Sequence, residues 1–334
     1  MNQNKNNIIL IGLISLFSFV NTLLAQQTEK IVWPLPPNEP KIEYLSSFSN
    51  SIDIGVKRSF LQKLWNRIVG SNQLDEMLIQ PIGITGDNRG NIYVTDPGAS
   101  CVHIFNLSQE KYSKFIGRKG GSFKSPIGIT LSDDGLIYIS DSELREIQVF
   151  NQVGDFQFKI DGYFQQPTGI CIDKNTLYIA DTEMHKIFTF DLNGTYLFEY
   201  GSPGIELGKF NRPIFIAKRN LFYITDAMNF RVQVVDEGFN SLFSIGSQGN
   251  VQGTFSRPKG VALDSDENIY VVDGLFDAVQ IFDYRGDLLL VFGNSGNGRG
   301  EFDMPSGIYI DEKDQIYVVD TLNRRVQVFK YLKK

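Results

Sequence analysis

Pro305-Ser-Gly-Ile308, Tyr317-Val-Val-Asp320 and Val326-Gln-Val-Phe329 follow one another near the C-terminal end of the chain, and the same three-part stretch occurs five more times upstream. The Tyr-(Ile/Val)-X-Asp element ends at Asp96, Asp141, Asp181, Asp226, Asp273 and Asp320, at separations of 45, 40, 45, 47 and 47 residues. A proline precedes each copy: Pro81, Pro126, Pro167, Pro213, Pro258 and Pro305. Five of these continue as Pro-X-Gly-(Ile/Val), and the fourth has Phe215 in place of Gly. After each Asp comes a β-branched or aromatic run, such as Val102-His-Ile-Phe105 or Val279-Gln-Ile-Phe282. A fourth run, such as Leu288-Leu-Leu-Val-Phe-Gly293, leads into a turn. Each unit therefore predicts four short strands separated by turn residues. One such sheet cannot bury both of its faces, but six arranged radially can, so the expected fold is an all-β, six-bladed β-propeller. The Tyr rows are expected between neighbouring blades. The prolines mark the start of each innermost strand, where a missing N–H does least harm.

The sixth copy stops after its third strand, while Lys41-Ile-Glu-Tyr-Leu-Ser-Ser-Phe48 precedes the first copy and has strand-like composition. Residues 41–48 are expected to supply the outer strand of the sixth blade and so close the ring without an exposed edge. The propeller then spans 41–334. Within it, Phe60, Leu61, Leu64, Trp65, Ile68 and Val69 alternate with Lys and Arg at helical spacing, which predicts a short amphipathic helix over 57–70. Ahead of the ring, 26–40 is a Pro-rich strap of extended character. Residues 1–25 carry Lys5, an apolar run from Ile8 to Val20 and Ala25, the pattern of a cleavable export signal. An uncleaved anchor is the other reading. Both place the propeller in the periplasm or outside the cell, with a membrane link only through the leader.

The 334 residues carry a net charge of −6. An acidic chain gains no long-range attraction to phosphate backbones, which argues against nucleic acid as a partner. Two cysteines cannot build a disulfide framework. Cys101 and Cys171 fall in units one and three, which do not touch in a six-bladed ring, so both are expected as buried free thiols.

Asn323-Arg-Arg-Val-Gln-Val-Phe329 and Asn229-Phe-Arg-Val-Gln-Val-Val235, each behind Tyr-X-X-Asp, resemble the NHL repeat, as does Phe302-Asp-Met-Pro-Ser-Gly-Ile308 behind Gly300. The likeness spans about 79–332. It is strongest in units four to six and weaker in one to three, where Asn-X-Arg becomes Ala99-Ser-Cys101, Leu144-Arg-Glu146 and Met184-His-Lys186. It implies the six-bladed propeller. It leaves function open, because NHL-type propellers include protein- and RNA-binding modules as well as enzymes.

The resemblance brings two enzymatic expectations to weigh. An amidating-lyase-like zinc site needs three histidines, and this chain has only His103 and His185, at different repeat positions. A lactonase-like calcium site needs several carboxylates on the central channel. The five residues after each repeat proline contain neither Asp nor Glu. No metal, cofactor or catalytic residue is therefore assigned. The six repeated aspartates are expected to accept backbone N–H bonds in their turns, since a residue needed identically in every blade does a structural job. What remains is a surface. Loops after the aspartates and before the prolines open on the same end, and they carry Arg145, His185, Arg212, Asn229, Arg231, Arg257, Lys259, Phe276, Arg324 and Arg325. Lys124, Lys186, Phe302 and Met304 stand among them. These cations suit an anionic or carboxylate-bearing ligand, or a protein partner. Arg231 and Arg325 share one repeat position and have bracing of the blade as their other reading. The expected function is a non-catalytic binding or assembly module of the cell envelope. A metal-dependent hydrolase or lyase is the rival, and an RNA-binding domain applies only if the chain is not exported.

Overall fold

A computed structural model describes residues 30–57, 76–87, 89–118 and 121–333. The leader at 1–25 and nearly all of the helix expected at 57–70 lie outside the described residues.

Each of the first five repeats forms one four-stranded antiparallel sheet whose strand order follows the chain. In the second blade the strands are Pro126–Leu131, Ile137–Asp141, Glu146–Phe150 and Phe156–Ile160. Residues from all six first strands line one axial channel. The sixth sheet is assembled from both parts of the chain. Ile42–Phe48 pairs antiparallel with Arg325–Tyr331, and Val32–Trp33 adds a fifth strand outside it.

Six hydrophobic clusters hold the ring, one in each joint between blades. Tyr270 of the fifth blade packs with Ile308, Ile316 and Val318 of the sixth, and Tyr138 of the second with Ile170, Leu177 and Ile179 of the third. Two of the buried tyrosines keep their hydroxyls satisfied at the rim. Tyr138 donates to the Leu192 carbonyl at 2.8 Å and Tyr270 to Asp264 at 2.9 Å. The residue three beyond each proline is Ile84, Ile129, Ile170, Ile216, Val261 or Ile308, each only 6–8% exposed. These six form a uniform aliphatic belt along the channel.

The glycine of Pro-X-Gly has a steric cause. A Cβ on Gly128 would lie 2.2 Å from the Thr168 carbonyl oxygen of the next blade, and one on Gly83 would lie 2.1 Å from that of Ile127. Hydroxyls stitch the same joints. Thr95 donates to the Ile127 carbonyl at 2.7 Å, Thr225 to that of Lys259 at 2.7 Å, and Thr321 to that of Pro81 at 2.9 Å. The last of these couples the sixth blade to the first.

Candidate functional site

Each repeat proline pairs with, or lies beside, the repeat aspartate of the neighbouring strand, as in Pro167 opposite Asp181 and Pro305 opposite Asp320. The loops before the prolines and after the aspartates therefore share one end of the ring. The six aspartates are fully buried. Asp141 accepts the N–H groups of Lys124 and Ser125 ahead of the proline and of Glu143 and Leu144 in the following turn. Asp181 and Asp273 repeat this pattern. The carboxylate ties two loops together and is a structural clamp.

Four residues after each aspartate the backbone is left-handed, at Ser100, Arg145, His185, Phe230, Asp277 and Arg324. This position is the tip of the turn. Arg145 and Arg324 project there into solvent. Arg145 reaches only Gln165, at 3.1 Å, and the Arg324 side chain has no partner among the described residues. His185 accepts the Arg212 N–H at 3.1 Å, joining the third blade to the fourth, while the Arg212 side chain pairs with Glu183 at 2.8 Å.

Three of the sequence-selected residues serve the scaffold. Arg231 donates to Asp226 at 2.9 Å and to the carbonyls of Glu206 and Lys209. Arg325 donates to Asp320 at 2.7 Å and to the carbonyls of Asn297, Gly298 and Glu301. Asn229 holds the Gly204 carbonyl at 2.9 Å. These side chains brace the long loops that enter blades four and six. Phe302 is also not at the surface. It is fully buried against Phe329. Its equivalents Phe210 and Phe255 are buried under the same kind of loop.

The fifth blade lacks this brace. At the repeat positions of Asn229 and Arg231 it carries the half-buried Phe276 and the small Ala278. Arg257 and Lys259 sit beside this gap, and neither side chain makes a hydrogen bond or an ion pair with a described residue. Lys259 follows Pro258 on the inner strand. The equivalent residues on the other blades are Ile82, Ile127, Thr168, Ile214 and Ser306, so Lys259 is the single charge at that level of the ring. Its stem crosses Gly274, where an added Cβ would meet Lys259 Cε at 2.9 Å and the Pro305 carbonyl oxygen at 3.2 Å. In blades three and six a threonine occupies the Gly274 position and caps that carbonyl. Burial, and then the neighbouring Arg257, push the Lys259 ammonium down to about 8. The end as a whole offers exposed or weakly paired cations at Arg145, Arg257, Lys259 and Arg324.

No group of three or more His, Cys, Asp or Glu side chains suited to a metal ion occurs among the described residues. His103 is fully buried between Cys101 at 3.2 Å and Tyr112 at 2.9 Å. Cys101 is buried as expected, but Cys171 is only half-buried, because its strand faces the axial channel. No helix of the described residues is long and apolar enough to cross a membrane.

Several solved structures share this architecture. The chain is similar to a streptogramin B lyase (14% identity, TM-score 0.59), with 76% of this chain and 94% of that one covered. It is similar to a protein of unknown function from Bacteroides thetaiotaomicron VPI-5482 (16%, 0.63), with 87% and 75% covered. It is also similar to an auxiliary nutrient binding protein from the same organism (15%, 0.61), with 77% and 70% covered. At these identities the likeness shows the fold alone. A search of the curated proteins finds no match. The NHL likeness rests on the motif residues quoted for it. A family model described as 6-bladed beta-propeller matches residues 123–226 and 260–331, and the chain belongs to that family, DUF5128.

Proposed function

We propose that this protein is a non-catalytic binding module that takes an anionic, carboxylate-bearing ligand at the cationic end of the ring. The observation that carries this reading is the pair Arg257 and Lys259. Arg257 and Lys259, two residues apart, are held at the start of an inner strand with no carboxylate in direct contact, Asp273 and Asp277 acting on Lys259 only at longer range, on a chain whose net charge is −6. An unpaired, partly desolvated cation pair is costly unless something anionic meets it, and a guanidinium offers a bidentate contact to a carboxylate. Arg324 and Arg145 at neighbouring turn tips extend the surface. The leader pattern at 1–25 supports a place in the cell envelope or outside the cell. The neighbours named above include a lyase and a nutrient-binding protein, so architecture leaves the choice to the site. The inner strands carry no carboxylate in the five residues after each proline, which favours binding over metal-dependent hydrolysis.

Calorimetry of residues 26–334 with oligogalacturonate and polyglutamate tests the reading. Binding that weakens with added salt and drops at least about tenfold in an Arg257→Ser/Lys259→Ser variant supports it. Equal affinity in that variant, or turnover of ester or lactone substrates by the metal-loaded protein, overturns it.

A further inference from the structure

At the opposite end of the same channel lies a cavity of about 320 Å3 walled by residues from all six inner strands. Its floor is the Ile/Val belt described above, which repeats in every blade and so serves the scaffold. The next residue on each strand breaks that symmetry: Thr85, Thr130, Cys171, Ala217, Ala262 and Tyr309. In a repeat protein, a position that varies around one shared cavity is free to recognise something. The variation is ordered. Tyr309, Thr85 and Thr130 come from neighbouring blades six, one and two, and their hydroxyls make no hydrogen bond to a described residue. Across the axis, Cys171, Ala217 and Ala262 are small and leave the space.

At the rim beyond Ala217, on the blade facing the first, stand Lys218 and Arg219. The Lys218 ammonium is occupied by the carbonyls of Arg219 and Asn220, by Glu237 and by Asp173 of the third blade at 3.7 Å. Arg219 donates one nitrogen to the Asp264 carbonyl at 2.6 Å and has no carboxylate partner among the described residues. No carboxylate lines the cavity. A guanidinium thus stands at the rim on the fourth blade, and the hydroxyl-bearing residues line the wall on blades six, one and two, with an apolar floor between them.

We infer that this cavity binds a small monocarboxylate with an apolar middle and a hydrogen-bonding group at its far end. The carboxylate meets Arg219, and the far group meets Tyr309, Thr85 and Thr130. The volume admits about a dozen non-hydrogen atoms. The site is separate from the Arg257–Lys259 end, and each can fail without the other.

Cys171 reports on occupancy, because it lies on the cavity wall while Cys101 is sealed in its blade. The experiment follows N-ethylmaleimide labelling of Cys171 in the full chain at alkaline pH, with 4-hydroxyphenylacetate, phenylacetate or 4-hydroxyphenylacetamide added to about 5 mM, a range that detects weak affinities. The inference expects 4-hydroxyphenylacetate to slow labelling at least about fivefold and the other two compounds to protect less. Arg219→Met should remove the advantage over the amide. Thr85→Val/Thr130→Val/Tyr309→Phe, which keeps the shapes, should remove the advantage over phenylacetate. Ala217→Trp should abolish protection, while Arg257→Ser/Lys259→Ser should leave it unchanged. Absence of protection by 4-hydroxyphenylacetate overturns the inference. So does a hydroxyl preference that survives the triple variant, a carboxylate preference that survives Arg219→Met, or loss of protection in the double variant at the other end.

Discussion

At the scale of single residues, the repeat separates side chains that serve every blade from those that serve one. Gly128 belongs to the first kind. Its missing Cβ lets two inner strands approach until a backbone carbonyl fills the space, and neither strand can yield. Gly128→Ala should therefore cost about 1–3 kcal/mol or more in urea denaturation. Gly162→Ala, which meets nothing within 4 Å and is strained only by its φ of +85°, should cost about 1 kcal/mol. Equal losses would remove the close-approach argument. Lys259 belongs to the second kind, and its charge has a pH signature. Its ammonium is held down to about 8 by burial and Arg257, so between about 8 and the ordinary lysine value near 10.4 the unfolded chain binds more protons than the folded one. Lys259 thus contributes stability that rises with pH through that window, and its burial is unfavourable below it. Lys259→Met should flatten the rise and raise the melting temperature at pH 7. An unchanged profile would place the amine in bulk solvent. The sequence makes Lys259 visible as the odd residue in the Pro-X-Gly position. It cannot show that the Lys259 stem lies across Gly274, in the place that a threonine takes in blades three and six.

At the scale of elements, the loops that enter blades four and six are held by their own recurring kit of Asn, Arg, Gln and a buried Phe. Gln233 and Gln327 complete it, each accepting a loop glycine N–H at 2.9 Å and donating back to a loop carbonyl at 2.6 Å. Arg325→Met should release residues 294–302, which amide hydrogen exchange would report as protection lost there and retained in the inner strands. The stability loss should be about 2–3 kcal/mol, since the buried Asp320 is left with fewer donors. If that loop stays protected, Arg325 is available for a ligand after all. The four strands of each repeat, the inner position of the proline strands and the shared end of the two loop sets were legible in the repeat, because spacing and alternation fix them, whereas the added strand Val32–Trp33 lay in the segment read as a strap. The division of arginines into braces and free cations was not legible. Arg231 and Arg325 share one repeat position, and whether a guanidinium there meets carbonyls or a ligand is decided by the path of a loop more than 20 residues away. The axial cavity was missed for a related reason. Its signal is a varying residue behind a constant Ile or Val on each inner strand, and the absence of carboxylates there does not reveal it.

At the scale of the whole molecule, a ring of blades is only as cooperative as its weakest joint, since each blade buries its faces against two neighbours. The joints of the sixth blade depend on the N-terminal segment. Ile42 and Phe48 are buried in the clusters that join it to the fifth and first blades, and the Trp33 ring lies 5.8 Å from Phe292 and 5.9 Å from Phe329. The chain thus fastens its own ends by placing two segments nearly 300 residues apart in one sheet. Pairing so distant closes a very long loop, and in a propeller that closure is what turns a row of sheets into a unit. Removing residues 30–48 should uncover the strand Arg325–Tyr331 as a free edge, lower the melting temperature by well over 10 °C and broaden the transition into more than one step. Trp33→Ala should keep one sharp transition and cost about 2 kcal/mol, because the strand remains and only a partly buried ring is lost. Adding a peptide of residues 30–48 in trans should restore the single transition of the truncated protein. If the truncated chain instead melts as sharply and as high as the full one, the ring is held by its six inner joints, and the closing strand is an ornament of the sixth blade.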